Sequence, residues 1–169
     1  MSEYSVKIIV ATHKKYQMPS DAMYIPLHVG AEGKKDSDGN ELDWGYIKDN
    51  TGENISILNP SFCELTGLYW AWKNLDADYI GLVHYRRHFS LKKKKGFGNV
   101  LSYEELNPYL GKIKVFVPNK RKYYIESLYS HYAHTHYAEH LDVTRKIIAD
   151  KHPSYLNSFD TVINRTYGY

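Results

Sequence analysis

Short apolar runs alternate along this chain with stretches of helical periodicity. Residues 6–11 and 79–83 are β-rich runs too short for free-standing helices, and residues 23–29 form a third run that contains Pro26. We predict a first strand at 6–11, an edge or irregular strand at 23–29, and a buried central strand at 79–83. A further strand is predicted at 113–117, just before Pro118.

Helical periodicity is clearest after Asn59 and Pro60, which fit the N-cap and first helical positions. The predicted helix continues to about Asn74 and packs on the sheet through an apolar stripe of Leu65, Leu68, Tyr69 and Trp72. Residues 102–105 match a capping box, and the short helix that follows is closed by Gly111. Further helices are predicted at 125–140, from Asp142 to a point before Pro153, and from about residue 155.

Residues 31–54 show no sustained period and carry several glycines, so they are predicted to form a long loop. Its last part, residues 49–54, has the Asx and glycine turn chemistry that would let the loop fold over a ligand. The substrate-binding candidates in this loop are Asp49, Asn50, Thr51 and Asn54.

The alternation of strands and helices predicts an α/β fold with three layers and a mostly parallel central sheet. With 169 residues and 43% apolar content, the chain is expected to form a single domain over residues 1–169. The sequence contains no phosphate loop of the Walker type, no Gly-x-Gly-x-x-Gly turn and no Gly-x-Ser-x-Gly elbow.

Composition narrows the class of protein. The single cysteine, Cys63, excludes an internal disulfide, and neither a signal peptide nor a membrane-spanning run is apparent, so a cytoplasmic protein is expected. A net charge of +3 is too small to indicate nucleic acid, whereas 17 tyrosines would suit sugar and base faces. The lysine run at 92–95 is interpreted as a solvated loop, with peripheral contact to an anionic membrane as the alternative.

The densest polar cluster follows the strand predicted at 79–83. It consists of His84, Tyr85, Arg86, Arg87 and His88. Ligands of open α/β sheets bind beyond the carboxyl ends of the strands, and paired guanidinium groups suit a diphosphate. The alternative is that both arginines pair with carboxylates and cap the sheet.

The first predicted strand ends in the same kind of polar sequence. Thr12, His13 and Tyr16 are therefore candidates for the same ligand site. Glu64, one step off the apolar stripe of the helix predicted after Asn59, either lies near this end of the sheet or faces water.

Histidines and tyrosines crowd the helix predicted at 125–140. His136 and His140 would be one helical turn apart, which makes a zinc site geometrically possible. The glutamate of a zincin motif is missing after the first histidine. A half-exposed aromatic face that touches substrate is the preferred interpretation.

Several motifs occur together in the order found in one known family. They are ATHK at 11–14, YIP at 24–26, residues 49–56, NPSFCELT at 59–66, YWAWKN at 69–74 and YIGLVHYRRHF at 79–89. Together they resemble the domain of bacterial capsular, exopolysaccharide and O-antigen biosynthesis proteins, formerly a domain of unknown function. The resemblance, which is tighter in the first half of the chain, implies a GT-A-like glycosyltransferase fold and galactofuranosyl transfer.

The chain departs from this pattern in two places. Ordinary GT-A enzymes place an Asp-x-Asp motif after the central strand to hold a divalent metal, whereas this chain has His84, Tyr85, Arg86 and Arg87 there. We expect no metal cofactor, because fixed guanidinium charge would stabilise the departing diphosphate. The second departure is that family members usually continue beyond a segment like 167–169, so the family domain is expected to be short at its C-terminus here.

The preferred function is therefore transfer of a sugar from a UDP-sugar to a growing surface polysaccharide, with a lipid-linked or oligosaccharide acceptor. The predicted catalytic residues are His84, Arg86, Arg87 and Glu64. The predicted substrate-binding residues are Thr12, His13, Tyr16, Asp49, Asn50, Thr51, Asn54, Tyr85 and His88.

Two alternatives are kept: a non-catalytic module that binds a nucleotide sugar or carbohydrate, and a histidine-metal hydrolase built from His84, His88 and the histidines of residues 125–140. Asp49 and Glu64 are the candidates for the catalytic base.

Overall fold

The structure, a computed structural model, describes residues 4–94 and 96–168. It contains two compact units, one ending at Lys114 and the other beginning at Val115. The single domain over residues 1–169 stays a prediction. Lys95 of the predicted lysine loop and Tyr169 of the C-terminal segment lie outside the described residues.

The first unit is built on a four-stranded sheet. Its strands are β1 (Val6–Thr12), β2 (Tyr24–His28), β3 (Ile47–Lys48) and β4 (Tyr79–His84), in the order β3-β2-β1-β4. Every neighbouring pair is parallel, and the β1–β4 register runs from Val6 opposite Tyr79 to Ala11 opposite His84. The predicted α/β class with a mostly parallel sheet is confirmed.

The central strand of this sheet is β1, not β4. Ile9, Val10 and Ala11 of β1 are wholly buried, whereas Ile80 of β4 is 37% exposed at the edge of the described sheet. The prediction of a buried central strand at 79–83 was wrong, because an apolar run does not reveal which neighbours its strand will have. Pro26 is tolerated in β2 because β3 pairs only with the last two residues of that strand.

The helix predicted from Asn59 to Asn74 is broken in two. A short helix α1 (Asn59–Phe62) ends at Cys63, whose φ of 48° is left-handed, and α2 (Leu65–Asn74) follows. Asn59 is the first helical residue and not the N-cap, and its side-chain amide donates to the Cys63 carbonyl and the Thr66 hydroxyl. This side chain therefore holds the two helices together across the break. A 3-10 turn (Ser56–Leu58) precedes α1.

The face of α2 that packs on the sheet is not the predicted apolar stripe. Within that stripe, Leu65 is 53% exposed and Trp72 is 65% exposed. The buried residues are Thr66, Gly67, Trp70 and Ala71. Gly67 explains why this face of α2 packs on the sheet, since a Cβ at position 67 would lie 2.8 Å from Val29 Cγ1. The small residue lets the helix backbone approach the sheet closely.

The opposite face of the sheet is covered by the segment around α3 (Tyr103–Leu106). Tyr24 on that face donates through its hydroxyl to the Leu101 carbonyl at 2.8 Å. The predicted capping box is confirmed, because Glu105 N–H donates to Ser102 Oγ and Ser102 N–H donates to Glu105 Oε2. A 3-10 turn at Phe97–Asn99 precedes α3, and another at Asn107–Tyr109 follows it. Gly111, with a φ of +75°, comes after the second turn. Helix, sheet and this segment form three layers.

The second unit is mainly helical. It contains β5 (Arg121–Lys122), α4 (Leu128–Thr135), α5 (Glu139–Lys151), a 3-10 turn (Pro153–Tyr155), α6 (Leu156–Ile163) and β6 (Tyr167–Gly168). Strands β5 and β6 form a short antiparallel ribbon.

Three predictions for this part of the chain need correction. Residues 113–117 are not a strand. The helix predicted at 125–140 spans only α4, because Ser127 caps its start and His136 is extended, so His136 and His140 are not one helical turn apart. Asp142 lies in the first turn of α5 and does not cap it. The capping hydrogen bond of Ser127 sets the start of α4. The apolar pattern placed that start earlier, at residue 125.

Candidate active site

The parallel register brings the ends of β1 and β4 together at the carboxyl edge of the sheet. Tyr85, almost completely buried, lies at the centre. Its ring centroid is 5.3 Å from that of His13, 5.0 Å from that of Tyr16 and 4.2 Å from that of His84. Lys14 Nζ lies 5.3 Å from the same centroid. These residues, together with Glu64, Arg86 and Arg87, are called the carboxyl-edge cluster below.

His84 fixes the turn that follows β4. Its Nδ1 accepts a hydrogen bond from Arg86 N–H at 3.2 Å, and its carbonyl accepts one from Arg87 N–H at 2.8 Å. Because Nδ1 is an acceptor, the proton of the neutral ring is on Nε2, which lies 3.7 Å from Glu64 Oε1. Burial lowers the pKa of His84; Glu64 opposes this shift, and Arg86, His13 and Arg87 add to it.

Arg86 and Arg87 have exposed side chains. Arg86 Cζ lies 5.2 Å from the centroid of the Tyr85 ring. Across residues 4–94 and 96–168, neither arginine forms an ion pair with an acidic side chain. The ion pairs that the sheet-capping alternative requires are therefore not found in the described part of the chain.

Thr12, one of the predicted substrate-binding residues, is buried and acts within the turn after β1. Its hydroxyl donates to the Lys14 carbonyl at 2.6 Å and accepts from Lys14 N–H at 3.2 Å. These two hydrogen bonds position the residues that follow Thr12, and its role in substrate binding stays a prediction.

Asp49 is fully buried, which contradicts its prediction as a base or ligand contact. Its carboxylate accepts hydrogen bonds from the backbone N–H groups of Gly30 and Ala31 and from the hydroxyls of Ser56 and Thr66. Four donors use the full capacity of the two oxygens. Asp49 ties the loop after β2 to the start of α2.

The rest of the predicted covering loop runs along α2 and does not extend over the carboxyl-edge cluster. Thr51 accepts from Trp70 Nε1 at 3.0 Å, and Glu53 N–H donates to Asn74 Oδ1 at the end of α2. A helix that connects two parallel strands ends at the amino edge of the sheet, so the loop leads away from the site. The two remaining candidates also bond locally: Asn54 donates to the Gly52 carbonyl, and Asn50 donates to Glu32.

His88 was predicted to bind substrate. The structure places its ring between those of Tyr24, at 6.2 Å, and Phe97, at 5.7 Å. Within the described residues its Nε2 is buried without a hydrogen-bond partner, and burial lowers its pKa. Its contacts belong to the packing of the face opposite α2.

Sequence reasoning missed His28, Trp44 and Tyr46. His28 ends β2, is almost wholly buried and packs against Trp44 at a centroid distance of 4.2 Å. Tyr46 reaches the carboxyl-edge cluster, since its hydroxyl donates to the Tyr16 carbonyl at 2.8 Å. The signal available in the sequence was the pair of aromatic residues around Gly45, inside a loop otherwise rich in charge.

Burial also lowers the pKa of His28; Asp49 opposes this shift, and Lys48 adds to it. Its Nδ1 has no hydrogen-bond partner among the residues described. Contacts from Tyr16 through Tyr46 and Trp44 to His28 extend the aromatic packing to the end of β2.

The turn after β4 carries two guanidinium side chains where a divalent cation would need oxygen ligands. Hard cations prefer carboxylate and carbonyl oxygens, whereas the side chains following the strand include two guanidinium groups, which repel cations. Within the described ranges, no group of three or more His, Cys, Asp or Glu side chains is arranged to hold a metal ion.

A family model described as a domain of unknown function (DUF4422) matches residues 7–169. The chain belongs to this family. It is also similar to a solved structure described as the apo form of WbbM, a bifunctional glycosyltransferase, at 29% sequence identity and a TM-score of 0.81. That match covers 98% of this chain and 32% of the WbbM chain, so this chain spans about a third of that protein. No curated protein matches. The similarity supports a glycosyltransferase-like fold.

No helix formed by the described residues is both long and apolar enough to cross a bilayer.

Proposed function

We propose that this chain is a glycosyltransferase domain whose carboxyl-edge cluster binds the diphosphate of a nucleotide-sugar donor. The observation that carries the proposal is the placement of Arg86 and Arg87. Both are exposed at the carboxyl edge of a parallel sheet, without acidic partners among the described residues, and Arg86 lies beside the ring of Tyr85. The similarity to WbbM supports the reaction class.

The proposed chemistry follows from fixed positive charge. Negative charge grows on the leaving nucleoside diphosphate as the bond to the sugar breaks, and a preorganised guanidinium group stabilises that charge. His84 is a positioning residue in this scheme, because its ring accepts the Arg86 N–H bond that shapes the turn. We propose that Arg86 and Arg87 do this work without a divalent metal.

The proposed donor is a UDP-sugar, with galactofuranose as the transferred sugar, and the proposed acceptor is a lipid-linked or oligosaccharide precursor of a surface polysaccharide. The family resemblance supports this choice of donor. His13 and Tyr16 would contact the nucleotide, since aromatic faces stack on bases and Tyr16 remains 43% exposed. Glu64 is the proposed base, because its carboxylate is partly exposed beside His84 at the mouth of the cluster.

The decisive experiment is calorimetric titration of the chain with UDP. Arg86→Ala should weaken binding about 10- to 100-fold, because hydrogen bonds to a charged group contribute about 1.5–3 kcal/mol. Arg86→Lys should recover only part of the affinity, since an ammonium group cannot form a bidentate contact. Lys146→Ala, which removes an exposed cation in the second unit, is the control. Equal affinity for all four proteins would refute the proposed diphosphate site.

A second measurement separates transfer from binding and tests the role of metal. Products are assayed with UDP-galactofuranose and UDP-galactopyranose, with and without EDTA. Turnover that survives EDTA supports the arginine mechanism, whereas strict dependence on Mn²⁺ or Mg²⁺ contradicts it. Donor binding without any product would identify the chain as a nucleotide-sugar-binding module.

A further inference from the structure

An exposed segment of the second unit combines cationic and apolar side chains. It comprises residues 120–125 and is called the basic tip. Tyr124 is 82% exposed and Ile125 is 96% exposed, and the cations Lys120, Arg121 and Lys122 come just before them, separated from Tyr124 only by Tyr123. An isoleucine with nearly all of its surface in water contributes little to folding, and here it lies next to an exposed tyrosine and three cations.

The backbone holds these two apolar residues in a defined turn. Ile125 N–H donates to the Tyr123 carbonyl at 2.8 Å, and Tyr124 between them has a φ of 61°. This is a strained three-residue turn, uncommon for a bulky side chain. Both ends are anchored, because Tyr123 N–H donates to the Thr166 carbonyl and Leu128 N–H to the Arg165 carbonyl. These hydrogen bonds fix the backbone of the basic tip in one conformation next to the β5–β6 ribbon.

The charge of the basic tip is mainly positive, and among the described residues neither Arg121 nor Lys122 forms an ion pair with an acidic side chain. Arg121 Cζ lies 5.4 Å from the Tyr123 ring, and Lys120 Nζ lies 4.5 Å from the Tyr167 ring. Between residues 106 and 138 the sequence contains a single acidic residue, Glu126. That carboxylate is occupied by two ring nitrogens, His131 Nδ1 at 3.2 Å and His134 Nδ1 at 2.9 Å. Three cations and one carboxylate lie within residues 120–126, so this segment carries an excess of positive charge.

We propose that the basic tip binds the surface of an anionic phospholipid bilayer. The cations contact phosphate headgroups, and Tyr124 and Ile125 enter the interfacial layer. Charge complementarity favours an anionic surface, and the adjacent apolar pair favours lipid over a soluble polyanion, which offers no apolar phase. The proposal goes beyond the sugar-transfer function and does not depend on it.

The test is co-sedimentation of the whole chain with vesicles of phosphatidylcholine and phosphatidylglycerol. Arg121→Gln with Lys122→Gln should weaken binding about thirtyfold, since each cation near an anionic surface contributes about 1 kcal/mol. Tyr124→Ser with Ile125→Ser should weaken it about tenfold at unchanged charge, because the buried apolar area is lost. Vesicles of phosphatidylcholine alone should bind weakly.

Two matched control pairs complete the design. Lys93→Gln with Lys94→Gln removes the same charge from the lysine run, and Val143→Ser with Ile147→Ser removes apolar side chains that are 51% and 53% exposed on α5. Both controls should bind like the unmodified chain. Loss of binding in a control but not in the tip variants would overturn the proposal. So would loss in the glutamine variant alone together with equal binding to heparin, which would indicate general polyanion binding.

Discussion

At the scale of single residues, two carboxylate side chains have different roles because their burial differs. Glu64 and Asp49 were equivalent candidates for the catalytic base in the sequence. The structure leaves Glu64 partly exposed beside His84 and surrounds Asp49 with four donors. A carboxylate whose oxygens are all occupied holds structure, whereas one facing solvent near a cationic turn is available for chemistry.

Asp49→Asn should destabilise the first unit by about 3 kcal/mol. The amide that replaces one oxygen would face an N–H or hydroxyl donor, so at least one buried donor would lose its acceptor. Urea unfolding followed by tryptophan fluorescence measures the change, with the exposed residue substitution Asp76→Asn as the control. An unchanged free energy of unfolding in Asp49→Asn would show that the buried carboxylate is not needed.

At the scale of elements, a small residue decided which side of α2 faces the sheet. The apolar stripe of that helix includes Leu65 and Trp72, yet both are exposed. The helix instead presents Gly67 to Val29, Leu27 and Ile9, whose side chains would lie 2.8, 3.1 and 3.3 Å from a Cβ there. Close packing of the α2 backbone against the sheet therefore contributes more to the stability of this arrangement than burial of Leu65 and Trp72 would.

Gly67→Ala should therefore lower stability, although alanine is the better helix former. The helical preference gains about 1 kcal/mol, whereas an extra methyl in a filled core costs typically 1–3 kcal/mol. We expect a net loss of about 1 kcal/mol in the free energy of unfolding. Gly98→Ala is the matched control, because nothing lies within 4 Å of its Cβ position. Stabilisation by Gly67→Ala would show that α2 can move away from the sheet.

At the scale of the whole molecule, histidines couple stability to pH. Burial lowers the pKa values of His28, His84 and His88 in the folded protein. All three belong to the first unit. Between the lowered folded values and the ordinary value of about 6.5, the unfolded chain binds more protons than the folded chain. Stability therefore rises with pH through this window and is lost as the pH falls below about 6.5.

The predicted result is a lower free energy of unfolding at about pH 5.5 than at about pH 7.5, with each histidine contributing at most about 1.4 kcal/mol per pH unit. His88→Phe should flatten this dependence, because one lowered pKa is removed. The exposed-residue substitution His152→Gln serves as the control. Urea unfolding at a series of pH values measures the effect, and an unchanged slope in His88→Phe would contradict it.

The sequence alone determined the features that arise from neighbouring residues. These include β1, the capping box of α3, the turn at Gly111 and the position of Arg86 and Arg87 directly after a strand. The hydrophobic period, capping hydrogen bonds and glycine conformations depend on residues a few positions apart, so the sequence is enough to predict them.

Only the tertiary structure decided which elements meet. The sheet order placed β1 and not β4 at the centre, Gly67 selected the buried face of α2, and Asp49 became an internal anchor. The aromatic contacts that join Tyr85 to Tyr16 and His13 likewise connect residues far apart in sequence. These outcomes depend on packing between distant segments, where shape and unsatisfied hydrogen bonds outweigh the hydropathy of any one stretch.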